Sequence, residues 1–142
     1  MASDAFEDIV ENFELFDEWE DRYRYVIDLG KDMDPLPDAR KSDATRVEGC
    51  ASQVWLVPEV RDEDGITHLY FDGDSDAMIV RGLIAVLKAL LSGQPLRVIP
   101  SIDVQAELAR LGLEAHLSSQ RTNGLRAMIQ RLKDLAAKAE AA

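Results

Sequence analysis

Val54-Trp55-Leu56-Val57-Pro58-Glu59-Val60 and Thr67-His68-Leu69-Tyr70-Phe71 are the two stretches that decide the fold. β-branched and aromatic residues dominate both, and their side chains alternate, which predicts two strands, the first over 52–60. The charged turn 61–65 ends in glycine and predicts a hairpin loop between them. Pro58 has no backbone N–H to donate to a neighbouring strand, so the far end of the first strand is predicted to lie at a sheet edge or in a bulge. Because small sheets need about three strands, we predict a third around 45–47.

Apolar residues recur at helical spacing on both sides of the hairpin. Two such stripes between Phe6 and Leu29 predict a helical region in which 17–20 marks either a bend or the start of a second helix, with Ser3 as N-cap and Gly30 as C-cap. The segment 34–38 contains two prolines and predicts an extended connection.

Downstream of the hairpin, the run 78–91 is apolar over more than half of its circumference, which predicts a buried helix. The turn 72–76 is predicted to cap that helix through Asp74 or Ser75. Further helices are predicted at 102–111 and 121–138, with residues 136–142 fraying. The result is a single α+β domain over 1–142, a small antiparallel sheet of about three strands with helices packed on one face.

Composition excludes several functions for the 142-residue chain. It carries 16 Lys+Arg and 27 Asp+Glu, so 16 − 27 gives a net charge of −11, which disfavours nucleic-acid binding because phosphates would be repelled. We expect no membrane segment and no secretory signal, since the acidic N-terminus lacks an apolar core, and therefore a cytoplasmic location.

Cys50 is the only cysteine, which excludes an intramolecular disulfide and fits a reducing compartment. With only His68 and His116 beside it, the chain lacks the Cys and His ligands of a typical zinc site, so we expect no metal. Gly49 permits a sharp turn, so the thiol can lie at a mobile loop tip, where positive charge or a helix N-terminus would lower its pKa. An inert, space-filling cysteine is the alternative.

Two charged residues are further candidates for the site. Asp74, in the turn before the buried helix, would oppose the thiolate. Arg121 is either a surface residue or a cation that reaches the cysteine loop. No local spacing supports a pair of Cys50 with either histidine.

Four segments carry a resemblance to a known family: VEGCASQVW (47–55), GDSDAMIVRGLIAV (73–86), HLSSQRTNGLRAM (116–128) and the helical region 19–30. Together they cover essentially the whole chain. By these segments the chain resembles the SufE family of sulfur-acceptor proteins, which includes the CsdE-type members. Ala51 stands where family members often carry a polar residue, and 34–43 matches little.

The resemblance implies that Cys50 accepts persulfide sulfur from a pyridoxal-phosphate (PLP)-dependent cysteine desulfurase of the SufS/CsdA type, stimulates that enzyme, and passes the sulfur to a SufBCD-type scaffold for iron–sulfur clusters. It implies the sandwich fold shared by SufE and IscU proteins. PLP would belong to the partner, and this chain would need no cofactor. Asp74 would lie by the cysteine loop and Arg121 would serve partner binding or loop conformation. The binding set of the loop would be Gly49, Ala51, Ser52 and Gln53.

A persulfide carrier needs one thiol, and a second one nearby would collapse the persulfide into a disulfide. The same fact disfavours an IscU-like scaffold, because clusters normally need about four protein ligands. An interaction or regulatory module with an inert cysteine is the third hypothesis. On the first hypothesis the chain is a carrier and activator rather than a stand-alone enzyme. A homodimer is compatible with the sequence.

Overall fold

A computed structural model describes residues 3–141. The elements, in chain order, are α1 (Asp4–Glu14), α2 (Trp19–Lys31), β1 (Val54–Glu63), β2 (Ile66–Ser75), α3 (Met78–Leu91), β3 (Gln94–Pro95), α4 (Val104–Ala109) and α5 (Ser119–Ala141), with 3-10 turns at Asp38–Arg40, Ile99–Ser101 and Glu114–His116. This confirms the predicted α+β class. None of these helices combines the length and apolar content that crossing a membrane requires. Met1, Ala2 and Ala142, at the ends of the predicted domain and of its frayed tail, lie outside the described residues.

The hairpin forms as predicted, with longer strands and a tighter turn. β1 and β2 pair antiparallel without interruption from Val54↔Ser75 to Glu63↔Ile66. Only Asp64 and Gly65 connect them, and both have positive φ (53° and 80°). Two-residue turns of this kind match the right-handed twist of the strands, which is why the predicted loop 61–65 shrinks to two residues.

The predicted third strand at 45–47 is wrong. The strand order is β1-β2-β3, so the third strand is Gln94–Pro95, on the far side of β2. On the open side of β1, residues 45–47 form only an isolated bridge, in which Val47 N donates to the Val54 carbonyl and Leu56 N to the Thr45 carbonyl. Along β1, the backbone N–H and C=O groups of every second residue point to that edge. After Val54 and Leu56, the next residue to do so is Pro58. Pro58 lacks the N–H that would continue the pairing, which leaves β1 an edge strand, as predicted.

α3 packs between α2 and the sheet. A Cβ at Gly73 of β2 would lie 2.8 Å from Ile84 of α3. On the opposite face of the hairpin, Glu59 and Arg61 are exposed. α3 itself begins and ends as predicted, with Ser92 as its C-cap.

Gly30 is not the predicted C-cap of α2, which Asp32 provides. It lies inside the last turn, where a Cβ would come within 2.6 Å of Gly82 N on α3. A Cβ at Gly82 would lie 2.1 Å from the carbonyl oxygen of Val26. Both glycines therefore serve the close approach of two helices rather than a change of chain direction.

Two helix-end predictions need correction. β2 runs through most of the predicted turn 72–76, and Ala77 caps α3 without a side-chain bond. The segment from Ala136 does not fray, because α5 continues to Ala141 and Ala136 is fully buried in a small cluster with Leu69, Leu96 and Ile99.

Candidate functional site

Cys50 lies on a six-residue loop, residues 48–53, which we call the cysteine loop. Glu48 and Gly49 form its turn, and Gly49 has a φ of +91°, a conformation that favours glycine. The bridge at 45–47 closes the loop on its N-terminal side. On its C-terminal side, Gln53 N donates to Asp76 Oδ1 (3.0 Å) and Asp76 N donates to the Gln53 carbonyl (3.3 Å). The loop is therefore fastened at both ends, while Gly49 and Ala51 between them are exposed.

The half-buried thiol borders a cavity of about 130 Å³. The lining comes from the cysteine loop, β1, α3 and the start of α5: Cys50, Ala51, Ser52, Val54, Val80, Leu83, Ser118, Gln120, Arg121, Gly124, Leu125 and Met128. Cys50 Sγ lies 3.6 Å from the Gly124 carbonyl oxygen, and a Cβ at Gly124 would lie 3.5 Å from Sγ. These are ordinary contact distances, so α5 packs directly against the thiol at Gly124.

Arg121 lies in the first turn of α5 and lines the same cavity. Ser118 caps this turn, since its Oγ accepts a hydrogen bond from Arg121 N and its carbonyl accepts one from Thr122 N. Arg121 and the N-terminus of α5 therefore border the same cavity as Cys50. A cation or a helix N-terminus close to a sulfur favours its negative charge.

The resting thiol is nevertheless protonated at neutral pH. Burial, and secondly the negative charge of Glu48, raise the pKa of Cys50 above its ordinary value. Because the thiolate is the nucleophile, the closed loop holds the sulfur in its less reactive form.

Asp74, predicted to lie by the cysteine loop and to oppose the thiolate, does not line the cavity, and its carboxylate is paired elsewhere. Its carboxylate is buried, accepts hydrogen bonds from Leu36 N and Ser75 N, and pairs with Arg81 (2.8 Å) and Lys41 (3.5 Å). Burial raises the pKa of Asp74, but these hydrogen bonds and the two cations outweigh it and hold the pKa below the ordinary value. Asp74 therefore joins β2 to α3 and to the connection after α2.

The residue that sequence reasoning missed is Asp76, which holds the cysteine loop through Gln53. The sequence contains a signal for this role, because Asp76 is the second acid in Asp74-Ser75-Asp76. Ser118 and Gly124 lie in the segment 116–128, for which no individual role was predicted.

Neither histidine lines the cavity. His68 Nδ1 lies 2.9 Å from the Gly93 carbonyl oxygen, and His116 stacks on Trp19 with ring centroids 3.7 Å apart. Among the described residues, no three His, Cys, Asp or Glu side chains come together in a way that could hold a metal ion.

Comparisons with known proteins connect this geometry to one family. The model of the family described as "SufE: Fe-S metabolism associated domain" matches residues 7–136. An uncharacterized SufE-like protein of Rhizobium meliloti (strain 1021) is 47% identical over 129 residues, which is 91% of this chain and 92% of that protein. An uncharacterized SufE-like protein of Rhizobium etli is 45% identical over 134 residues, 94% of this chain and 89% of the relative.

A solved structure supports the fold independently. The solution structure of a hypothetical protein from Thermus thermophilus superposes with a TM-score of 0.72 and covers 100% of both chains at 22% identity. At that identity the similarity extends to the fold alone.

Proposed function

Because the chain belongs to the SufE family, we propose that Cys50 accepts a sulfur atom from a PLP-dependent cysteine desulfurase of the SufS/CsdA type and passes it to a SufBCD-type scaffold. Membership supports a sulfur-transfer role linked to a cysteine desulfurase. The observation that carries the finer proposal is the position of the chain's only thiol, on an exposed loop and beside an open cavity.

The transfer conserves atoms and electrons. The Cys50 thiolate attacks the outer sulfur of the donor's persulfide, a new S–S bond forms on Cys50, and the donor's S–S bond breaks. The donor cysteine leaves as a thiolate and takes up the proton that Cys50 released. Delivery to the scaffold repeats the exchange in the other direction, with Cys50 as the leaving thiolate.

The structure supports a carrier that reacts only when its partner is present. Burial and Glu48 keep the pKa of the resting thiol raised, so exchange requires the cysteine loop to leave the cavity. The loop is fastened by a few hydrogen bonds at its two ends and by the contact of Cys50 with Gly124, all of which a docking partner could replace. PLP stays on the desulfurase, and the chain works as a single domain in the cytoplasm.

The test is intact-mass spectrometry after incubation with a cysteine desulfurase and free cysteine. We expect a gain of one sulfur atom, mapped to Cys50 and removed by a reductant. Cys50→Ser should gain nothing. The matched control is the double variant Cys50→Ser with Ser101→Cys, which moves the only thiol to an exposed 3-10 turn outside the cavity.

The outcomes separate the three hypotheses. If the thiol relocated to position 101 gains sulfur to the same extent as Cys50 in the parent, the surroundings of Cys50 contribute nothing to sulfur acceptance. Equal desulfurase stimulation by Cys50→Ser and the parent would identify an interaction module with an inert cysteine. A coloured, visible-absorbing protein after anaerobic reconstitution with iron and sulfide would identify a cluster scaffold.

A further inference from the structure

The part of the cavity wall formed by Ser118, Gln120 and Arg121 has little burial of its own, whereas Gly124, Leu125 and Met128, which also line the cavity, are buried. Ser118 and Gln120 line the cavity yet are exposed, and Arg121 is half-buried. The first buried residue of α5 is Gly124. Burial of the first turn therefore does not explain what holds Ser118, Gln120 and Arg121 beside Cys50.

The segment just before α5 supplies a contact that does. Leu113 is buried, and three residues later the exposed ring of His116 lies flat on Trp19, at 3.7 Å between ring centroids and 24° between planes. Ser118, the cap of α5, follows His116 after a single intervening residue. The stacked pair, together with Leu117, which packs against the core, thus provides the side-chain contacts just before the cavity wall.

Trp19 provides a fixed base for this contact. Its ring meets Phe13 of α1 edge-on at 6.2 Å, and the Arg22 guanidinium lies 5.5 Å from its centroid. Arg22 is itself held, because its Nε donates to the carbonyl oxygens of Phe13 and Phe16. The corner between α1 and α2 therefore fixes the plane on which His116 rests.

We propose that the Trp19–His116 stack is a positioning pair for sulfur transfer: it holds the first turn of α5, and with it Arg121, against the cysteine loop. As a role in the reaction, this rests on the proposed function. As a statement about access to Cys50, it can be tested on the free protein.

The experiment compares the parent with His116→Ala and His116→Phe, since phenylalanine keeps a ring that can stack on Trp19. Alkylation of Cys50 in the free protein should be about two- to tenfold faster in His116→Ala, the range that loss of one aromatic pair produces in a local opening equilibrium. His116→Phe should return the rate to that of the parent. His68→Ala removes a half-buried histidine that does not line the cavity, and this variant should alkylate like the parent.

The rate of sulfur loading by a desulfurase is measured on the same proteins. We expect it to change in His116→Ala and to be restored in His116→Phe. An unchanged alkylation rate in His116→Ala, equal alkylation of the Ala and Phe variants, or equal loading of all three would overturn the positioning role. A parent that fails to load would overturn the proposed function instead, and the alkylation comparison would still decide whether the stack controls access.

Discussion

Asp76 fastens the C-terminal side of the cysteine loop, so its replacement by alanine should release the loop. The variant loses the hydrogen bond from Gln53 N to Asp76 Oδ1 at 3.0 Å, while the backbone bond from Asp76 N to the Gln53 carbonyl can remain. A hydrogen bond of this kind contributes about 1 kcal/mol, because the group is exposed and water competes for it. About 1 kcal/mol corresponds to roughly a fivefold larger open population of the loop.

The assay is the alkylation rate of Cys50 at fixed pH under excess reagent, which we expect to rise about fivefold in Asp76→Ala. Removing a carboxylate also removes negative charge, which by itself favours the thiolate. Asp76→Asn separates the two effects, since the amide oxygen can still accept the hydrogen bond while the charge is gone. Asn should therefore stay close to the parent.

A second control is Asp103→Ala, which removes another exposed acid at a helix start, where Asp103 caps α4. It should leave the alkylation rate unchanged. Urea unfolding monitors whether any variant loses global stability, since the reasoning concerns local opening alone. Parental alkylation of Asp76→Ala, or an equal acceleration in Asp76→Asn, would refute the argument that this hydrogen bond holds the loop.

Two further predictions concern single acidic residues, Glu48 on the cysteine loop and Asp74 in β2. Glu48→Gln should lower the pKa of Cys50 toward its ordinary value, because a charge that raises the pKa is removed; the pH profile of alkylation should move to lower pH, and a coincident profile would contradict the effect of Glu48. Asp74→Asn should reduce the free energy of unfolding by about 2–3 kcal/mol at pH 7, since Arg81 loses its charged partner but keeps its bonds to the Gly30 and Met33 carbonyls. The lowered pKa of Asp74 means that its stabilisation is fully present above the ordinary carboxyl pKa and is lost as the pH falls through the folded-state pKa. The difference between parent and Asp74→Asn in urea unfolding should therefore narrow below about pH 4, and a difference independent of pH would contradict the ion-pair role.

Local patterns were sufficient to predict the elements that local chemistry determines. The hairpin follows from alternating side chains and from Asp64-Gly65, which adopt positive φ with little strain. The buried helix 78–91 follows from its apolar circumference. Each of these signals lies within about a dozen consecutive residues, so no knowledge of distant contacts was needed.

Apart from the length of the hairpin turn, the errors arose where a distant partner decides the structure. Gly30 looks like a helix end in sequence. A glycine is needed there because the backbone at Gly82, 52 positions later in the chain, leaves no room for a side chain. Ala136 looks like part of a fraying tail, yet Leu69 and Ile99 bury it. The third strand depends on which edge of the hairpin remains open, which neither 45–47 nor 94–95 encodes alone.

The confusion between Asp74 and Asp76 has the same origin and matters most for the site. Turn propensity cannot distinguish two acids that are separated by one residue. They differ because the pairing of β2 with β1 ends at Val54↔Ser75. Asp74 is still within the ladder, where it is buried and meets Arg81, whereas Asp76 lies just beyond it, where the backbone of Gln53 is still within reach. The last residue pair of the hairpin therefore decides which carboxylate stabilises the fold and which one holds the loop that carries Cys50.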